Sequence, residues 1–217
     1  VIYPGEEFSV YHTVSPFNAE NGYKLAGAYE NGTTVDAYGG GICQVSTTLY
    51  NAVIRAELEV TERSGHSMIV NYVDPSADAA IAGEYKDFKF KNNTEAPIYI
   101  ESYASGSKIS FTIYGQETRA ANRKVSFVSE TLSTTDPGVK FQESSDAVGT
   151  ITKTQSAHTG KSARLWKVVT VDGVEQSRDI FNKTTYKASP AIYSVGVSSA
   201  NAEATAAMKA AIATQDE

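Results

Sequence analysis

The stretch Tyr38-Gly39-Gly40-Gly41-Ile42-Cys43-Gln44-Val45-Ser46-Thr47-Thr48-Leu49-Tyr50 sets the only cysteine of the chain directly behind three glycines. Apolar residues at 42, 45, 49, 52, 53 and 56 then follow helical spacing, which predicts a helix from about Ile42 to about Glu57. A thiolate is the reactive form of cysteine, and the free N–H groups and dipole of a helix N-terminus favour it. Glycines let a backbone approach a ligand closely and can aim N–H groups at a developing oxyanion. Cys43, Ser46, Thr47 and Tyr50 share one polar helix face by their i, i+3, i+4, i+7 spacing, opposite the apolar face through Ile42, Val45 and Leu49. This reading displays Cys43 toward something polar. Gly39, Gly40, Gly41, Gln44, Ser46, Thr47 and Tyr50 become the candidates for holding a substrate or an oxyanion.

A nucleophilic cysteine needs a base. The three histidines are His12, His66 and His158. His66, in the loop ERSGHSM 23 residues after Cys43, is best placed for one returning segment to carry it back to the helix start. Its orienting group is either Asp78, in VDPSADAA, or a backbone carbonyl. The plainer reading of a lone cysteine is a small buried hydrophobe, and that of His66 a hydrogen-bonded loop residue. One cysteine excludes an intrachain disulfide framework and any multi-cysteine metal site. No HExxH-like spacing occurs, so neither a metal nor a cofactor is expected.

The elements that must position these residues divide the chain in two. Residues 1–37 carry the turn pairs Pro4-Gly5, Asn21-Gly22 and Asn31-Gly32 between short apolar pieces, and read as loops and short strands. After the helix, LEVTER, SMIVNYV and YKDFKFK read as strands, and IYIESYA and KISFTIY as a hairpin turning at Ser105-Gly106-Ser107. Residues 1–117 are therefore expected to form an α+β domain, one main helix on a mostly antiparallel sheet. Beyond the polar stretch GQETRAANRK the helical signal stops. VSFVSETL, GTITKTQ, ARLWKVVTV, VEQSRDIF and AIYSVGV predict an elongated all-β domain over 118–197, with Asp172-Gly173 as a hairpin turn. The alanine-rich tail, 198–217, suits a short docked helix or a linker. Three Asn-X-Thr triplets, at Asn31, Asn92 and Asn182, are read as turn chemistry.

With 41% hydrophobic and 20% charged residues, the chain can build a core. Its net charge of −6 argues against a nucleic-acid partner or a basic membrane-surface patch. No apolar run approaches the roughly 18 residues of a membrane span. The chain opens at Val1 directly in VIYPGEEFSV, as expected of a piece excised from a longer secreted or membrane-anchored protein. Thirteen tyrosines with abundant Thr and Ser suit a β-rich extracellular protein.

GYKLAGAYENGTTVDAYGGGICQVSTTLYNAV, RSGHSMIVNYVDPSADAAI and DFKFKNNTEAPIYI, in that order over roughly residues 1–115, resemble the VanW-like domain of bacterial cell-surface proteins. That family is named after accessory genes of glycopeptide-resistance clusters, and some members are L,D-transpeptidases that cross-link peptidoglycan stem peptides through a cysteine. The resemblance implies Cys43 as nucleophile and His66 as base. Ser76-Ala77 departs from the Gly and basic residue more usual before Asp78, which bears on the loop shape there. TDPG, HTGK, VDGVEQSRDI and AIYSVG resemble the five-glycine (G-five type) wall-associated module, whose implied role is an elongated β tether, with links in the family to glycans and sometimes zinc. Together the resemblances imply a protein of the bacterial cell surface, most simply Gram-positive. Its partners would be peptidoglycan stem peptides and glycan strands, its activity cysteine-dependent transpeptidation or carboxypeptidation. A non-catalytic wall-binding module and a structural spacer are the alternatives, and the ionisation of Cys43 separates them from the enzyme.

Overall fold

A computed structural model describes residues 1–30 and 33–215; the expected Asn31-Gly32 turn, and with it the triplet at Asn31, lies outside them. The chain is mostly β with few helices. It divides into two compact units, one of Val1–His66, Val70–Leu132 and Ser162–Thr185, the other of Ser67–Ile69, Ser133–Lys161 and Tyr186–Glu217.

The first unit begins with β1 (Glu7–Ser9), the short helix α1 (Val10–Val14), and β2 (Leu25–Glu30) paired antiparallel with β3 (Thr33–Tyr38). The helix read from the sequence follows as α2 (Ile42–Arg55). It stops where Glu57 takes a left-handed conformation, φ 58°. There Glu57 N–H donates to Ile54 O at 3.0 Å and Leu58 N–H to Val53 O at 3.2 Å. This is a Schellman closure, which satisfies carbonyls that a helix end leaves bare. Then come β4 (Glu59–Glu62), β5 (Lys89–Lys91) and the hairpin β6 (Tyr99–Ser105) with β7 (Lys108–Tyr114). Most of β8 (Arg123–Thr135) also belongs here.

The core gathers Leu49, Tyr50, Val53 and Ile54 of α2 around Phe88, Phe90, Leu58, Ile81, Ile98 and Leu165. Burying each such side chain is worth roughly 1.5–3 kcal/mol. The single antiparallel sheet expected beside the helix is instead broken into small ones, β1-β5-β4, β2-β3 and β6-β7. SMIVNYV forms no strand, and YKDFKFK only the three residues of β5. The physical reason lies in the stretch from 63 to 88, whose polar groups are spent on α2 and on one another rather than on a ladder.

The second unit holds β9 (Val139–Ala147), β10 (Ile151–Gln155) and β13 (Ala191–Ser198), with β13 antiparallel to β10 and parallel to β9. Between β10 and β13 in sequence, β11 (Gly160–Val171) and β12 (Val174–Tyr186) form a three-stranded sheet with β8 in the order β12-β11-β8, nearly all of it in the first unit. Asp172 and Gly173, at φ 52° and 79°, make the turn between β11 and β12, the two positive φ values of a tight hairpin. The alanine-rich tail becomes α3 (Ala202–Thr214), capped by the Asn201 side chain. It docks by burying Ile212 and through the Gln215 side chain, which bonds Phe141 N and O, each at 2.9 Å. Among the described residues no helix is long and apolar enough to cross a membrane.

Candidate active site

Each glycine of the triplet has its own physical reason. Gly39 and Gly41 both sit at φ 89°, where a side chain is strained. A Cβ on Gly40 would lie 2.5 Å from the Cβ of Ala26 and 2.8 Å from its carbonyl oxygen, so the turn passes against β2 only because that atom is missing. In the first turn of α2, Ile42 N–H donates to Gly39 O, and the Gln44 and Val45 amides converge on Gly41 O. The Cys43 amide is left without an acceptor among the described residues, at the end of a helix where negative charge is favoured.

Along α2 a second register appears. Cys43 Sγ meets Ile81 O at 3.4 Å and Ile81 N at 3.5 Å. Four residues on, Thr47 Oγ1 donates to Ala79 O at 3.3 Å and accepts from Ala79 N at 3.0 Å. Asn51 Nδ2, four further, donates to Ala77 O at 2.8 Å. Four helical residues advance about 6 Å and two extended residues about 6.6 Å, so an extended segment running back along a helix matches it in this way. The segment 77–81 is held on α2 by that match, which brings Asp78 to the site.

Asp78 is wholly buried and saturated with donors. His66 reaches its Oδ2 twice, through the backbone N–H and through Nδ1, each at 2.7 Å. Arg63 Nη2 lies 2.7 Å from Oδ1 and Arg63 Nε donates to the Asp78 carbonyl at 2.6 Å. Arg63 is itself anchored by Thr184 Oγ1 at 3.0 Å and by the Tyr50 ring, 5.9 Å from its guanidinium carbon. With Nδ1 engaged by the carboxylate, His66 Nε2 faces Cys43 and lies 3.2 Å from the Tyr72 hydroxyl. Before Asp78, Ser76 adopts φ 69°, the conformation that favours the glycine more usual there. Its hydroxyl lies 3.0 Å from Thr184 Oγ1.

These contacts set the charges. Burial alone would raise the Cys43 thiol. The hydrogen bond to His66, the Ile81 backbone and the positive charges of His66 and Lys86 outweigh it and hold Cys43 below the ordinary thiol value. Burial pushes His66 down, yet its bonds to Asp78 and Cys43 lift it to about 9. The two shifts, Cys43 down and His66 up, together favour a thiolate beside an imidazolium. Tyr72 is raised, first by burial and then by the Cys43 charge, so its phenol stays protonated and able to donate.

Cys43, His66 and Asp78 are thus brought together, and the choice left open between Asp78 and a carbonyl as the partner of Nδ1 falls on Asp78. The other residues singled out from the sequence are placed differently. Gln44 is exposed. Ser46, Thr47 and Tyr50 lie on the buried side of α2, at 0%, 3% and 0% exposure. The Ser46 hydroxyl has no partner among the described residues. Thr47 is occupied by Ala79. Tyr50 stands edge-on to Phe88 and accepts from Asn182 Nδ2. The face read as polar is therefore largely a packing face, with the Thr47 hydroxyl engaged by Ala79 and that of Tyr50 by Asn182. Arg63, Tyr72 and Asn51 escaped the sequence reading. The four-residue spacing of Cys43, Thr47, Asn51 and Arg55 is the signal that would have led along the helix to Asn51. Among the described residues no group of three or more His, Cys, Asp or Glu side chains could hold a metal ion.

The site thus sets a thiol in the first turn of a helix, with a histidine and a buried aspartate behind it. Residues 1–114 match the family model VanW like protein, and residues 129–198 match the G5 domain. The chain belongs to the VanW-like family and carries a G5 domain after that region. It is 38% identical over 117 residues to the uncharacterized protein YoaR of Bacillus subtilis, covering 54% of this chain and 39% of that protein. Against the vancomycin B-type resistance protein VanW of Enterococcus faecalis it is 27% identical over 141 residues, 60% of this chain and 51% of the relative. The chain thus spans about half or less of the length of these relatives. The IgA1 protease G5 domain structure is 28% identical, with 34% of this chain and 90% of that one covered at a TM-score of 0.26. Both families are cell-wall associated.

Proposed function

We propose that this protein is a cysteine-dependent acyl transferase of the bacterial cell wall, acting on peptidoglycan stem peptides in the manner of an L,D-transpeptidase. The observation that carries the reading is the grouping of Cys43, His66 and Asp78, in which an imidazole held by a buried carboxylate is among the groups that lower the thiol at a helix N-terminus. Its architecture is read as an α+β region bearing this site, with the G5 domain serving as a wall tether.

The steps follow from the groups present. Cys43 thiolate attacks the carbonyl carbon of the third stem residue, forming a C–S bond, while the free Cys43 amide donates to the oxyanion. Collapse breaks the C–N bond to the terminal D-alanine, whose nitrogen takes the proton from His66 Nε2. His66 is now neutral, still oriented by Asp78. An amine from a neighbouring stem attacks the thioester and gives a proton back to Nε2, restoring the thiolate and imidazolium. Water in place of the amine gives the carboxypeptidase product.

Chromatography of a purified tetrapeptide-stem muropeptide after incubation with the protein tests this. Cross-linked dimer or tripeptide product is expected, and Cys43→Ala and His66→Ala are expected to form neither at a detectable rate. Equal product from Cys43→Ala would remove the nucleophile from the reading.

A further inference from the structure

The inference below rests on the acyl-transfer reading and concerns where the second substrate enters. Once Cys43 carries an acyl group, the attacking molecule must come within reach of both the thioester and His66 Nε2. That nitrogen is already approached from one side, by the Tyr72 hydroxyl at 3.2 Å. Tyr72 also forms part of the wall of a groove of about 390 Å3, whose other polar walls include Asn51, Arg55, Asn71, Asp74 and Ser129.

The groove is built on the same helix as the thiol. Asn51 and Arg55 continue the four-residue spacing from Cys43 and lie about 12 Å and 18 Å along the axis from it. Asn51 is a fixed wall, its amide nitrogen committed to Thr47 O at 2.9 Å and Ala77 O at 2.8 Å. Arg55 Nη1 is tied to Asn51 O at 2.7 Å and Oδ1 at 2.9 Å, which holds the guanidinium in place while it remains exposed. Asp74 is exposed, and among the described residues no ion pair occupies its carboxylate. The groove therefore presents one negative and one positive group to solvent, with an imidazole-facing phenol in its wall.

We propose that this groove is the acceptor subsite, and that it receives a molecule bearing a primary amine and, farther along, a carboxylate. Asp74 draws in the ammonium, Arg55 holds the carboxylate, and the Tyr72 hydroxyl marks the position beside Nε2 that the attacking nitrogen takes over. The ammonium releases one proton to water. Its nitrogen then forms the C–N bond as the C–S bond breaks, a second proton passes to His66 Nε2, and Cys43 leaves as thiolate. Tyr72 is here a positioning residue, exchanging its hydrogen bond to His66 for one with the incoming amine.

The test uses the full chain acylated by a tetrapeptide-stem donor, with three competing acceptors: N-α-acetyl-lysine, neutral hydroxylamine and water. Asp74→Asn and Arg55→Gln, with melting temperatures checked against the parent, should acylate at the parental rate. Their yield of the lysine adduct relative to hydrolysis should fall about threefold to fivefold, the worth of a partly exposed ion pair. Their hydroxylamine adduct should be unchanged, because that acceptor carries neither charge. An unchanged lysine-to-water ratio would overturn the proposal. So would slower acylation in both variants, which would assign the groove to the donor. Absence of any acyl-enzyme in the parent protein would instead overturn the acyl-transfer reading, and the acceptor subsite with it.

Discussion

Replacing His66 by alanine separates the influences on Cys43. Burial, the Ile81 backbone and Lys86 remain while the His66 hydrogen bond and charge go, so the thiol should rise from its lowered value. Each unit by which the thiol's pKa comes to exceed the pH lowers the thiolate fraction by about tenfold. Alkylation rates by iodoacetamide across pH should therefore show an acid-shifted profile in the parent protein and a slow, alkaline-shifted one in His66→Ala. Asp78→Asn should lie between them, since the imidazole survives without its anchor. Identical profiles would mean that Cys43 does not feel His66. At this scale the sequence was most informative about where the thiol sits, because the apolar spacing after the glycine triplet puts Cys43 in the first turn of a helix. Arg63 was not legible, because its part is set by Asp78 and Thr184, 15 and 121 residues away. Tyr72 was hidden for the same reason, inside a run whose alternating Met68, Val70 and Tyr72 imitates a strand.

Among the elements, α2 is the one on which everything depends, and both of its ends are special. At the C-terminal end a non-glycine residue occupies the left-handed position. Glu57 is held there by Arg123, by Lys167 Nζ at 2.6 Å and by Arg119 Nη1 at 3.3 Å. The bond from Arg123, with those from Lys167 and Arg119, depresses its carboxyl to about 2. A depressed carboxyl contributes stability that is complete above its unfolded value of about 4.3 and is lost as pH falls through the folded one. Glu57→Ala should therefore lower the melting temperature at pH 7 by a few degrees, as expected for roughly 1 kcal/mol in a chain of this size. The difference from the parent should close as the pH is taken down to about 2. A gap that stays constant over that range would show that the backbone strain, not the ion network, is what the side chain offsets. The extent of the helix was legible from its apolar spacing. Its buried side was not, because Ser46 and Thr47 read as part of a polar face for holding a substrate when Thr47 in fact bonds the segment at Ala79.

For the whole molecule, the family boundaries and the compact units do not coincide. The VanW-like match ends at residue 114, yet the first unit also takes in 115–132 and 162–185. Leu165 belongs to its core, and Asn182 and Thr184 bond Tyr50 and Arg63 beneath the site. A fragment of residues 1–117 should consequently be much less stable than the full chain, with faster proteolysis and a slower, alkaline-shifted Cys43. A fragment as stable and as reactive as the full chain would make those later strands dispensable. Sequence patterns report local periodicity, so the hairpins β6-β7 and β11-β12 could be read in place. Which strand completes which core could not, since that is decided by contacts more than a hundred residues apart.

The measurement that bears most directly on the account is the intact mass of the protein after brief exposure to a tetrapeptide-stem donor, beside Cys43→Ala. An added mass equal to the donor less alanine, mapped to Cys43 and missing from the variant, is the predicted result. An unmodified Cys43 in a protein that nevertheless binds the donor would contradict it, and would leave the thiol, His66 and Asp78 as part of a binding surface instead.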